Sequence, residues 1–353
     1  MKVTSYETWV VRIPYEEIRA PAPHIILRLM TDQGLDGLAY VTPLVAWTIK
    51  PLRIAVEAFA ERVVGLDPMS VEAINASLLA RTARPQFDGL ARSAVSLVDT
   101  ALWDIKAKAL SQPLYKVLGA SEKKIPTYAS WNLWWQYDID TLARHGSDAV
   151  KRGFRAMKYR LGGVRTKAEA LARTRALRDA VGDDVDLLVD MNWSWTVDKT
   201  ISIGRELGAF GLKWIEDPVP AHDYEGLRQI SDALETPICA GETYHETGQF
   251  RALLDRRAVD VAMIDLEVGG VTQWLKTAHV VEAYGVSVAS HMCTEVSAHV
   301  TAAVDGMTVE YIPWAEPLFE QVPRIEEGKL VLSDRPGLGL ELNLAAVKRF
   351  ASE

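Results

Sequence analysis

From about residue 125 the chain repeats one rhythm: a short apolar strand, a loop, then an amphipathic helix. The strand candidates are "PTYASW", "RAMKYR", "DLLVDMN", "KWIEDP", "PICAGE", "VAMIDL", "VSVASH" and "MTVEY", with helical stretches such as "TKAEALARTRALRDAVG" between most of them. Parallel strands need crossovers of a dozen residues or more, which these helices supply. Eight such units over about two hundred residues predict a closed parallel barrel. An open doubly wound sheet is the alternative, but no glycine-rich dinucleotide turn follows any of the strands.

Residues 1–120 read differently. "VTSYETWVVRI" and "HIILRLMTDQGLDGLAYV" are β-rich with a turn at Gly34 and Gly37, and "PLRIAVEAFAERVVG" and "ARSAVSLVDTALWDIKAKAL" show helical spacing. The expected organisation is an α+β unit over 1–120, a barrel over 121–325, and a tail over 326–353 that returns to the first unit. A net charge of −8 argues against a general nucleic-acid binder. No stretch has the length of a membrane span or the apolar core of a signal peptide, so a cytoplasmic protein is expected. Cys239 and Cys293 have neither zinc-site spacing nor a disulfide framework.

The strand ends carry the chemistry. Asp190, Glu216, Glu242, Asp265 and His291 each close a strand candidate, at steps of 26, 26, 23 and 26 residues. Each step is about one strand–helix unit, so all five belong to one rim; in a parallel barrel that rim is the catalytic mouth. A single acid at such a position is ordinarily a helix cap or loop residue. Three in succession, Asp190, Glu216 and Glu242, repel one another and need a cation between them. Oxygen ligands on strands suit Mg²⁺, and zinc is disfavoured by the lack of an H-x-H or cysteine cluster. Lys158 and Arg160, two apart in "RAMKYR", would point to the same side of their strand, either guarding an edge or facing an anion.

Taken together, "ALWDIKAKALSQPLYKVLG", "VDMN", "WIEDP", "AGE", "IDLEVGGVTQWLKTAHVVEAYGVSVASH" and "PGLGLELN" resemble the mandelate racemase-like group of the enolase superfamily over essentially the whole chain. The resemblance implies a modified (β/α)₇β barrel of the TIM type, an α/β fold, with an α+β capping domain built from both termini. It implies Mg²⁺ held by Asp190, Glu216 and Glu242, a small-molecule carboxylate substrate, and a homo-oligomer. It also implies a shared first step, removal of the proton α to the carboxylate. Lys158-Tyr159-Arg160 stands where the group carries a Lys-x-Lys pair, and Lys158 would stabilise the enediolate. Asp265 and His291 match the group's dyad, and Glu310 matches an acid that hydrogen-bonds the intermediate.

Arg160 departs from the pattern. Arginine does not lose its proton in proteins, so it is a poor second base. A one-base reaction remains, in which His291 removes the α-proton and then protonates a departing β-hydroxyl. That is dehydration of an acid sugar. The alternative is a racemase or epimerase with a second acid/base, either Tyr159 or a capping-loop residue; a non-catalytic barrel binding an acid metabolite is the remaining reading. His24, Asn192, Trp193 and Trp195 are candidate substrate-binding residues, each with a packing or loop-holding role as its rival. His245, just after Glu242, either reaches the mouth or is a solvated loop residue, and the second is the expected reading.

Overall fold

The computed structural model describes residues 1–15, 22–82, 88–304 and 306–352. The alternating pattern near the N-terminus forms an antiparallel sheet of β1 (Val3–Ile13), β2 (Ala22–Thr31) and β3 (Asp36–Val41). Helices α1 (Ile49–Glu61), α2 (Val71–Leu79) and α3 (Asp88–Ala109) accompany it. Together they form the cap. α3 is pinned to the barrel by buried polar contacts. Asp99 accepts the N–H of Thr272 at 2.9 Å and an N–H of Asn75 at 2.8 Å, while Trp103 donates to Thr272 Oγ1 at 2.8 Å.

The eight expected strands form β4 (Lys124–Ala129), β5 (Ala156–Arg160), β6 (Asp186–Asp190), β7 (Leu212–Glu216), β8 (Ile238–Ala240), β9 (Val261–Asp265), β10 (Ser287–His291) and β11 (Thr308–Tyr311). All pair in parallel, and β11 closes on β4. Side chains alternate between lumen and helix layer along each strand. Tyr128, Leu188, Trp214, Cys239, Met263 and Ala289 form a buried cluster. Two residues beyond four of its members stand Ser130, Asp190, Glu216 and Asp265, and beyond Ala289 stands His291. The apolar layer thus plugs the barrel directly beneath a polar one. Cys239 and Cys293 are both buried free thiols.

The tail takes a longer route than expected. Before reaching the cap it adds a hairpin, β12 (Arg324–Glu326) and β13 (Lys329–Val331), whose second strand pairs antiparallel with β4. It then meets α3, where Asp104 accepts the N–H of Leu338 at 2.7 Å and that of Leu38 at 2.9 Å. Gly337 makes this approach feasible: its φ is +75°, and a Cβ there would lie 2.1 Å from Asp104 Oδ1. Finally Ser352 donates its N–H to Val10 at 2.9 Å. Among the described residues no helix is long and apolar enough to cross a membrane.

Candidate active site

The strand register brings the charged residues together. Arg160 pairs with Asp190, Asp190 with Glu216, and His291 with Asp265, each across neighbouring strands. Glu242 is the exception to the expected strand ends. β8 stops at Ala240, and Gly241, with φ +131°, turns the chain before Glu242. A Cβ on Gly241 would lie 2.6 Å from the Met263 carbonyl, so the turn needs glycine.

Lys158 and Arg160 both face the lumen, as their spacing required. Lys158 is completely buried, with its Nζ on Glu216 Oε1, 3.0 Å from Glu310 Oε1 and 4.0 Å from Asp190. Burial opposes the ammonium charge, but Glu216 and Glu310 outweigh it and hold the lysine well above its ordinary pKa. Arg160 donates to the Ser130 carbonyl and to Ser130 Oγ, both at 3.1 Å, and its Nε lies 3.5 Å from Asp190. Its guanidinium lies 3.9 Å from the centre of the Trp134 ring, an indole stacked on Trp314. Tyr159 faces the opposite way and shares a 2.7 Å hydrogen bond with Thr174 on the helix Lys167–Val181. It therefore offers no acid or base to the mouth.

Across the ring, His291 Nδ1 donates to Asp265 Oδ2 at 2.6 Å, and Asp265 Oδ1 accepts the N–H of Glu267 at 2.7 Å. The fixed carboxylate leaves Nε2 as the working nitrogen. It lies 3.2 Å from Glu242 Oε2 and 3.7 Å from Glu310 Oε2. Burial would lower this imidazole, but Glu242, Glu310 and Asp265 together push it up to about 10. Glu310 is held far below the usual carboxylate range; burial works against this, and Lys158, His291 and Arg160 overcome it. Above the dyad opens a cavity of about 370 Å³, shared by barrel residues such as His291 and Trp193 and by the cap.

Of the tentative residues, Asn192 turns onto Asp190, donating its backbone N–H to Oδ1 at 2.7 Å and its side-chain N–H to Oδ2 at 3.0 Å. Trp193 lines the cavity. Trp195 is not among the cavity-lining residues: it is buried, with Lys199 Nζ 4.4 Å from the centre of its ring. His24 is fully buried, bonded through Nδ1 to Thr42 Oγ1 at 2.9 Å, and burial lowers its pKa to about 3. It stands behind Thr42, which lines the cavity; of the two prolines before it, Pro23 lies in β2 and Pro21 falls outside the described residues. His245, read as solvated, also lines the cavity. Trp134 belongs to the aromatic cluster "WNLWWQY", which in sequence reads as either walling the site or packing; Ser130 was missed, although strand spacing from Tyr128 pointed to it. Sequence reasoning also missed Trp214, whose indole reaches Glu216, and the cap loop at 42–48.

Among the described residues no three His, Cys, Asp or Glu side chains are drawn around a common point as a metal cage. Glu216 turns to Lys158, and Glu242 to His291. The donor set nevertheless fits a hard divalent cation. Burial, reinforced by Asp190 and Glu242 and opposed by Lys158, pushes Glu216 up to about 8, and it raises Glu242 and the adjacent Asp217 as well. The Oδ2 of Asp217 has no hydrogen-bond partner. This is an excess of buried carboxylate oxygen, which Mg²⁺ would neutralise.

A capped parallel barrel with a carboxylate-rich mouth is the architecture of an enolase-type enzyme. The chain belongs to that superfamily, in its mandelate racemase-like group: residues 141–346 match the enolase C-terminal domain-like family, and residues 9–119 match the mandelate racemase/muconate lactonizing enzyme N-terminal domain. It is 33% identical over 286 residues to the L-talarate/galactarate dehydratase of Salmonella typhimurium, covering 80% of this chain and 72% of that enzyme. It is 30% identical over 268 residues to the arabinonate dehydratase of Saccharolobus solfataricus, covering 71% and 70%. An L-Ala-D/L-Glu epimerase of Clostridium acetobutylicum is 29% identical over 338 residues, covering 90% of each. The crystal structure of L-talarate dehydratase from Polaromonas sp. JS666, complexed with Mg and L-glucarate, has a TM-score of 0.92 at 30% identity, covering 100% of this chain and 98% of that one.

Proposed function

We propose that this protein is a Mg²⁺-dependent acid-sugar dehydratase, converting a 2,3-dihydroxy acid to the 2-keto-3-deoxy acid. The observation that carries this reading is an asymmetry. One side of the mouth presents a histidine with an aspartate behind it, and the other presents a permanently charged arginine fixed by Ser130 and Trp134. Dehydration needs one acid/base acting twice, whereas epimerisation by two bases needs a partner on the opposite face. Arg160 cannot fill that place.

Bound Mg²⁺ would be held by Asp190, Glu216 and Glu242 and would draw charge from the substrate carboxylate, acidifying its α-carbon. Lys158 adds a buried positive charge where the enediolate oxygens develop theirs. Arg160 supplies N–H donors to the substrate's carboxylate or a hydroxyl. With Glu242 committed to Mg²⁺, the carboxylate that most favours a proton on His291 would be withdrawn, and a neutral Nε2 would accept the α-proton, with Asp265 stabilising the imidazolium through Nδ1. The same Nε2–H then protonates the β-hydroxyl as the C–O bond breaks. Glu310, kept ionised by Lys158, accepts a hydrogen bond from Ser130 at 2.6 Å and anchors the floor.

Relatives that dehydrate talarate, galactarate and arabinonate support the reading, and the epimerase supports the alternative reaction on the same first step. An acid-sugar panel incubated in D₂O with Mg²⁺ tests it. The expected result is a 2-keto-3-deoxy acid formed only with the metal. Mg²⁺-dependent inversion at the α-carbon without dehydration of any acid would hand the function to the epimerase alternative.

A further inference from the structure

Glu267 is a carboxyl of the mouth that no step of the dehydration uses. It sits in the single turn Leu266–Val268 after β9, with its backbone N–H on Asp265 Oδ1, and its side chain lines the cavity beside Asp265 and His291. The turn is held against the cap. Asn75 donates to the Gly269 carbonyl at 2.9 Å, and a Cβ on Gly270, whose φ is +86°, would lie 2.5 Å from Asp99 Oδ2. Ser93, buried on α3, donates its hydroxyl to Glu267 Oε2. No described residue bonds Oε1, which is left to the cavity. Burial, reinforced by Asp265 and opposed by the Ser93 hydroxyl and His291, pushes this carboxyl up to about 7, so it holds a proton close to neutral pH.

Dehydration leaves one proton transfer without a donor. By the time the β-hydroxyl has left as water, Nε2 of His291 has accepted the α-proton and given it away. The bound species is then an enol, with a double bond between C2 and C3. To become the 2-keto-3-deoxy acid it must gain a proton at C3 and lose one from the C2 hydroxyl. His291, neutral again, can accept a proton but has none to give. Lys158 is held well above its ordinary pKa by Glu216 and Glu310, and Arg160 does not ionise. Among the carboxyls lining the cavity, Glu242 would hold the metal and Asp265 is committed to Nδ1 of His291. Glu267 remains, on the same side of the mouth as His291, the side from which the hydroxyl departs.

Resting on the dehydratase reading above, we propose that Glu267 is a second catalytic residue, the acid that protonates C3 of the enol. The O–H bond at Oε1 breaks, and the π electrons of the C2–C3 double bond form the new C3–H bond. The enol O–H proton passes to Nε2 of His291, leaving a carbonyl at C2. Ser93, already on Oε2, stabilises the carboxylate that results. The imidazolium proton then returns to Oε1 through solvent in the cavity, so a turnover neither consumes nor releases a net proton. Because the proton arrives from the side the hydroxyl left, it takes the hydroxyl's place with retention at C3.

The test is the position of deuterium at C3 when the full-length protein, with Mg²⁺, dehydrates an acid sugar in D₂O, read by NMR in the first turnovers. The parent should label the position vacated by the hydroxyl over the other by about twentyfold or more. Glu267→Gln keeps a partner for Ser93 but has no proton to give. It should consume substrate more slowly and release the enol to solvent, where the two positions label to within about twofold. Glu267→Asp should restore a one-sided label. His245, which also lines the cavity, is the control, and His245→Gln should leave the label one-sided. Should Glu267→Gln fail to fold, Ser93→Ala decides in its place: it frees the carboxyl and should cut the parent's ratio by about fivefold. Four results overturn the assignment and leave the dehydratase reading standing: a parent that labels both positions equally or the opposite one, a folded Glu267→Gln that consumes no acid, a one-sided label that survives in Glu267→Gln or is untouched in Ser93→Ala, and a label scattered by His245→Gln instead. A parent that dehydrates no acid overturns both.

Discussion

Trp214 donates its indole N–H to Glu216 Oε2 at 2.9 Å from two residues earlier on the same strand. The ring is fully buried and meets Tyr128 edge-on, with centroids 5.5 Å apart, so the donor cannot drift. One carboxylate oxygen is thereby fixed from below while the other faces Lys158. Partners that orient a metal ligand are commonly worth about 10–100-fold in affinity. Trp214→Phe keeps an aromatic plug and removes only the donor. Titration calorimetry should show Mg²⁺ binding weakened by about that factor in a protein whose circular dichroism is unchanged. Unaltered affinity would reduce the contact to simple packing.

His291→Asn should stop turnover yet leave Mg²⁺ affinity within about threefold, because the carboxylates that would hold the ion stand on other strands. Asp265→Asn should cost less, lowering kcat by about 10²–10⁴ through a misoriented base. The two variants are compared by kcat and by Mg²⁺ titration. Loss of metal binding in His291→Asn would identify the imidazole as a ligand.

Arg160→Lys tests the one-sided mouth. In the parent, deuterium entering recovered substrate from D₂O should do so with retention at the α-carbon. The lysine variant gains a group that can lose its proton, so some exchange with inversion should become detectable by NMR. Efficient inversion by the parent itself would contradict the assignment of a single base.

A pH effect on stability is expected away from the mouth. His299, fully buried on the helix Thr294–Ala303, accepts the N–H of Tyr115 through Nδ1 at 3.1 Å and donates from Nε2 to the Leu338 carbonyl at 3.2 Å. Burial, only partly opposed by that carbonyl, lowers its pKa to about 4. The unfolded chain binds a proton near pH 6.5 and the folded chain does not. The stabilisation is therefore complete above 6.5 and lost as pH falls towards 4, at about 1.4 kcal/mol per unit. Urea midpoints at pH 7.5 and 5.0 should fall further for the parent than for His299→Gln. His24, lowered likewise, adds the same decline to both proteins.

What the sequence could tell follows from how local each cue is. Strand alternation and the unit-length steps between acids are properties of neighbouring residues, so the barrel and the convergence of Asp190, Glu216, Asp265 and His291 were legible before any coordinates. Lys158 and Arg160 sharing a face needed only the two-residue period. Glu242 escaped by two residues, since its placement depends on the positive φ of Gly241, required by a carbonyl on another strand. Tyr159 looked like a base until its strand face was fixed by pairing. His245, three residues past Glu242, was within a local reading. The loop at 42–48 reaches the mouth through contacts with segments roughly two hundred residues away, and no window of sequence encodes those. Trp134 on Arg160 belongs to the same class: an aromatic cluster is visible in the sequence, but the residue it cradles is not.

The cap is completed by both ends of the chain, through Val10 with Ser352 and through Asp104 with Leu38 and Leu338. On the ribosome these partners are made at opposite ends of the production run. Every barrel strand has been synthesised before residue 338 exists, so the catalytic floor can assemble before its roof is fastened. Discrimination between substrates is therefore acquired after the capacity to react with them. A nascent or nicked chain lacking its last residues should be a looser catalyst before it is a dead one.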